Sequence, residues 1–150
     1  MGQHGVMAET TNAPELHPVT EELASGKNFA AVTTLLPSGM FQTQILWVGV
    51  RDGSVVLNTE THRQRYKNLE RDPRITVLIR DENDPYRYAE VRGEVTRMTT
   101  GPEAREHIGE LSRKYTGSDY PPGAVKSERV ILWVTPRRQT IIDQNKDTSD

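Results

Sequence analysis

Ser54-Val-Val-Leu-Asn-Thr59-Glu-Thr-His-Arg63-Gln-Arg65-Tyr-Lys67-Asn-Leu-Glu-Arg71-Asp-Pro73-Arg-Ile-Thr-Val-Leu-Ile79 reads as a strand, a polar turn, a short basic helix and a second strand. β-branched apolar runs at both ends give the strands. Asp72-Pro73 stops the helix, because proline pushes the residue before it out of the helical region. Five of the twelve residues from Arg63 to Arg74 are Arg or Lys and two are acidic, in a chain of formal net charge −2. A helix N-terminus is already positive and disfavours cations by a few tenths to ~1 kcal/mol each. An anion held there would offset that cost, since free backbone N–H groups and paired side-chain cations together make a phosphate site. The plain alternative is a solvated charged face.

Working outward, Phe29 to Leu36 is β-rich and ends at the turn Pro37-Ser38-Gly39. Met40 to Val50 follows as a strand closed by Arg51-Asp52-Gly53, and Asp-Gly between apolar runs is a strong hairpin signal. Arg74 to Arg80 predicts a fourth strand, Asp81 to Pro85 a loop, and Tyr88 to Met98 a long fifth strand. In the last, Tyr88, Glu90, Arg92, Glu94 and Thr96 share one face, the alternation of a half-buried antiparallel strand. Ala104, Ile108, Leu111 and Tyr115 make one stripe of a helix from Glu103 to Tyr115, with Gly117 as its stop. Arg129 to Thr135 and Gln139 to Ile142 read as two last strands broken by Pro136. Six or seven antiparallel strands and two or more short helices make a mainly β (α+β) small barrel.

At 150 residues, 34% of them apolar, the chain has one domain with a thin core that a second copy of itself could complete. Residues 1–22 and 143–150 lack periodicity and are expected as flexible tails around a domain at 23–142. The absence of cysteine excludes disulfides and thiolate metal sites. No apolar run approaches the ~20 residues of a membrane span, and no signal-peptide core is evident, so a soluble cytoplasmic protein is expected. The acidic total charge argues against nucleic acid as a partner. His4, His17, His62 and His107 lack metal-ligand spacing, so no metal is expected. Neither a Gly-rich phosphate loop nor a nucleophile elbow occurs. What survives is the basic turn, the polar run Gln42-Thr43-Gln44, and the aromatics Trp47, Tyr86, Tyr88 and Trp133. Paired amides suit a heterocycle with donors and acceptors; edge-strand solubility explains them as well.

Together these features resemble a known superfamily. The resemblance rests on Ala31 to Gly39, Thr59 to Pro73, Pro85 to Gly93 and Glu128 to Trp133, and spans about Phe29 to Ile142. The chain resembles the split β-barrel flavin/deazaflavin oxidoreductases related to pyridoxamine 5′-phosphate oxidase, and within them the actinobacterial coenzyme F420-dependent class B branch. That resemblance implies a homodimer with the cofactor at the subunit interface and hydride transfer from reduced F420 to a small conjugated substrate. It places Arg63 and Arg65 on the cofactor phosphate, Lys67 near its acidic tail, Gln42, Thr43 and Gln44 beside the ring, Thr59 near the ribityl chain, and Tyr86 as an aromatic near the ring. No catalytic side chain is singled out; solvent, Tyr86 and His62 are the candidate proton sources. FMN on the same fold, as an oxidase or reductase, is the alternative. A non-enzymatic carrier of F420 or of a tetrapyrrole such as haem is another.

Overall fold

The computed structural model describes residues 7–144. Eight strands and three α-helices follow in the order β1 (Met7–Thr11), α1 (Pro18–Ser25), β2 (Ala30–Leu35), β3 (Phe41–Leu46), β4 (Gly49–Arg51), β5 (Ser54–Glu60), α2 (Gln64–Arg71), β6 (Arg74–Asp81), β7 (Asp84–Thr99), α3 (Pro102–Thr116) and β8 (Arg129–Asp143). All pairings are antiparallel, in the order β3-β2-β6-β7-β8-β5-β4, with β1 added to the far part of β8. The fold is an α+β split barrel. Its core is lined by Val32, Val55, Leu57, Val77, Ile79, Val91, Leu132 and Ile141, each buried.

The hairpin expected at Asp52-Gly53 is present, with both residues at positive φ, 51° and 75°. Such a turn matches the twist of the flanking strands. Pro136 does not break the last strand. It sits opposite Gly93 at a shift in the β7–β8 register, the kind of irregularity at which a strand tolerates proline. The seventh strand starts earlier than expected, at Asp84, leaving only a turn at Glu82-Asn83.

Much of the segment expected as an N-terminal tail is ordered structure. β1 pairs with β8 from Met7↔Asp143 to Thr11↔Gln139. Gln139, fully buried, accepts the His17 N–H at 3.0 Å and donates to Glu15 O at 2.8 Å. His17 caps α1 by accepting the Val19 N–H at 3.0 Å. Asp143, placed in the expected C-terminal tail, ends β8; the tail residues 145–150, like residues 1–6, lie outside the described residues.

β3 and β4 are the two ends of the sheet, yet they follow each other in sequence through Trp47-Val48. Among the described residues no ladder closes this seam; α3 does. Tyr115 Oη accepts the Val48 N–H at 3.1 Å and donates to Asn28 O. Lys114 Nζ donates to Val48 O at 2.6 Å and to Ala24 O at 3.1 Å. Burial pushes Lys114 down to about 8 and Tyr115 up to about 12.

Two turns back on α3, His107 is buried, and its Nδ1 accepts from Asn58 Nδ2 at 3.0 Å. Burial, with the Arg51 cation nearby, pushes the imidazole down from 6.5 to about 4. A base held neutral in the folded state loses stability as pH falls, because only the unfolded chain takes up the proton between those values. Stability should therefore drop by about 3 kcal/mol between pH 6.5 and 4 from this residue alone. Denaturant titrations of wild type and His107→Gln should show the stability gap narrowing over that window; a constant gap would exclude His107.

Candidate functional site

β5 ends in three buried polar residues, Asn58, Thr59 and Glu60, and the chain then turns through Thr61 and His62 into α2. Side chains alternate across a strand. Thr59 thus faces α2, while Asn58 and Glu60 face α3 and the loop before β8. Arg63 occupies the N-cap of α2 with no side-chain hydrogen bond capping the helix. The Tyr66 N–H donates to Arg63 O at 3.1 Å, and the Gln64 and Arg65 N–H groups are left to water or a ligand.

Arg65 is the centre of the site. Its Nε donates to Thr59 Oγ1 at 3.0 Å and its Nη1 to Gln44 Oε1 at 2.6 Å. Both partners are neutral, and among the described residues no carboxylate pairs with Arg65. Burial, then the neighbouring Arg63 and Arg129 cations, hold Arg65 below its ordinary value. A half-buried guanidinium beside two like charges is an electrostatic cost that an anion removes. Arg63 and Lys67 are exposed and form no ion pair among the described residues, whereas Arg71 donates to Leu35 O at the end of β2.

The neighbouring strand carries this cluster on one face and a cleft on the other. Gln44 holds Arg65. Two residues back, Gln42 bonds the buried Asn68 amide at 3.1 Å, and Asn68 also bonds Thr34 at 3.0 Å and Gln64 at 2.9 Å. Next to Gln42, Phe41 lines a cavity of about 370 Å³ together with Thr33, Arg74, Thr76, Arg92 and Glu94.

The structure therefore brings Gln44, Thr59 and Arg65 into direct contact, with Arg63 and Gln42 alongside. Thr43 points the other way and bonds Thr33 at 2.8 Å on the outer face. Tyr86 lies at the Asp81 end of β6, while α2 leads into its Arg74 end. Eight residues of strand put these ends about 25 Å apart. Within one chain Tyr86 is not part of this cluster. Sequence reasoning passed over Asn68, Glu60 and Arg129. The available signal was polar residues closing an otherwise apolar strand, and an Arg opening the apolar run of β8.

The fold is a split β-barrel of the flavin- and deazaflavin-binding kind. The model of the pyridoxamine 5′-phosphate oxidase family matches residues 16–142, and the chain belongs to that family. Among solved structures it is similar to an F420 reductase, at 29% identity over 83% of this chain and 95% of that one, with a TM-score of 0.69. A conserved hypothetical protein of Mycobacterium tuberculosis shares the fold at 24% identity, covering 88% of each chain, with a TM-score of 0.66. So does a putative pyridoxamine 5′-phosphate oxidase from Listeria innocua, at 17% identity over 75% and 86%, with a TM-score of 0.53. No functionally curated protein matches the chain. Among the described residues, no helix is long and apolar enough to cross a membrane.

Proposed function

We propose that this chain is a coenzyme F420-dependent reductase acting on a small conjugated organic substrate. The observation that carries the proposal is Arg65: half-buried, uncompensated, oriented by two neutral acceptors and set at an uncapped helix N-terminus. That donor set fits a phosphate. Arg63 and Arg65 hold the cofactor phosphate, and Lys67 is the free cation next along α2 for an acidic tail. Thr59 and Gln44 keep Arg65 extended, and Gln42 ties β3 to α2 through the buried Asn68. Bound F420 supplies the hydride; the protein's part is to bind, orient and exclude water. The similarity to an F420 reductase supports F420 over FMN, because both cofactors carry a phosphate and the arginines do not separate them.

A homodimer is part of the same reading. β3 is a sheet edge whose outer face exposes Phe41 (71%) and Ile45 (65%), with Met40 (65%) just before it. Such a stripe on an edge strand asks for a cover. A second copy would also be the route by which Tyr86 reaches a cofactor. Fluorescence titration of the purified, cofactor-free protein with F420 and separately with FMN tests the reading, with the same sample sized in solution. Tight F420 binding by a dimer, followed by oxidation of reduced F420 on adding an enone, is the expected result. Preference for FMN would make it a flavin enzyme. F420 binding without turnover on any acceptor would favour a carrier.

A further inference from the structure

We propose that His62 is a further ligand-contacting residue of this site, presenting its Nε2–H to the bound phosphate. The inference rests on the reading of α2 and its preceding turn as an anion site. His62 stands one residue before the Arg63 N-cap, and its side chain is 43% exposed. One edge of the ring is already engaged: Ser127 Oγ lies 2.6 Å from Nδ1 and also accepts the His62 backbone N–H at 3.2 Å. A serine hydroxyl carries a single proton. We assign that proton to Nδ1, 2.6 Å away, over Glu60 Oε2 at 3.4 Å. Neutral His62 then carries its own proton on Nε2, the nitrogen that no described residue engages. The bond at one ring nitrogen sets what the other offers, and here it offers a donor.

Ser127 is itself held in place. Glu60, 2% exposed, accepts the backbone N–H groups of Lys126 at 2.7 Å and Ser127 at 2.6 Å, and it pairs with Arg129 at 3.4 Å. Burial acts to raise its carboxyl, but the Ser127 and Lys126 N–H groups and the Arg129 cation outweigh it and hold the group below its ordinary value. A carboxylate so near an anion site would repel the ligand if it were bare. These donors spread its charge away from the turn. The Thr61 N–H, bonded to Glu128 O at 3.0 Å, fastens the same turn to the loop before β8. Glu60 and Ser127 thus act as positioning residues, fixing both the ring and its tautomer.

The test compares F420 affinity across variants of the full chain. His62→Ala should bind about tenfold more weakly, the loss of one charge-assisted hydrogen bond. His62→Gln, whose amide nitrogen reaches the Nε2 position, should stay within about threefold of wild type, whereas His62→Asn, which reaches only Nδ1, should resemble His62→Ala. In the wild type, 15N spectra of the histidine ring should show Nε2 protonated and shifting on addition of inorganic phosphate, with Ser127→Ala altering the tautomer. Normal affinity of His62→Ala alongside loss in Arg65→Ala would overturn this inference and leave the anion site standing. Equal weakening by Ala, Asn and Gln would overturn the Nε2 contact, as would an Nδ1-protonated ring unmoved by phosphate. Normal affinity of Arg65→Ala would remove the anion site on which the inference rests.

Discussion

Replacing Arg63 and Arg65 together by alanine is expected to weaken F420 binding by about 3–6 kcal/mol, two charge-assisted contacts at ~1.5–3 kcal/mol each. The fold should scarcely notice. Arg65 has no carboxylate partner, and it stands close enough to Arg63 and Arg129 to be disfavoured by both, so its removal relieves repulsion. Against that gain stand the lost hydrogen bonds to Thr59 and Gln44, each worth about 1 kcal/mol. The two effects oppose each other, and the unfolding free energy from urea titration should stay within about 1 kcal/mol of wild type. The separation of affinity from stability is the informative part. A residue kept for the fold would lose both together; a residue kept for a ligand loses only the first. Unchanged affinity in the double variant would sink the proposed function, whatever the melting curve shows.

The second large effect is structural. Gly93→Ala should destabilise the protein by about 3 kcal/mol or more, in the upper range for single substitutions. A Cβ at this position would meet the Thr135 carbonyl oxygen at 2.1 Å and the Pro136 Cα at 3.1 Å. Both obstacles are backbone, so no side-chain rotation relieves them. Either β7 and β8 separate at the register shift, or the bulge moves along the strand and carries Pro136 into a position that needs an N–H. Equilibrium unfolding measures this directly. An Ala variant as stable as wild type would mean that the close approach of the two strands is not maintained in solution. Changing Thr135 to a smaller residue should not rescue it, because the clash is with the main chain.

The same pair explains one misreading of the sequence. Pro136 looks like a strand breaker because its exemption depends on Gly93, forty-three positions earlier, and local reading cannot supply that partner. The N-terminal strand failed for a related reason. Ala8 to Thr11 is short and mostly polar, and it is a strand only because β8 offers it an edge. Signals complete within a few residues were legible: Asp52-Gly53 as a hairpin, Asp72-Pro73 as a helix stop, Gly117 as a cap at φ 79°.

At the candidate site the division is the same. The cationic turn stands out in one dimension, and the structure places Arg65 at its centre. That Gln44 holds Arg65, rather than standing free to meet a ring, depends on β3 lying beside α2. The opposed directions of Gln44 and Thr43 follow from strand alternation, but which of them faces α2 depends on register. Tyr86 is a different case, since the distance along β6 separates it from Arg65 in one chain.

The last strand has a consequence for how the protein comes into being. β8 pairs with β7, β5 and β1, and β5 reaches the rest of the sheet only through it. A ribosome makes β8 last. Until residues 129–143 emerge, the nascent chain can assemble β2, β3, β6 and β7 on one side and the β4–β5 hairpin on the other, joined by the Trp47-Val48 connection and α3 but by no strand ladder. The turn that carries Arg63 and Arg65 is synthesised early and given its place late, so a chain interrupted before Arg129 would carry Arg63, Arg65 and Lys67 without the strand that holds β5 in the sheet.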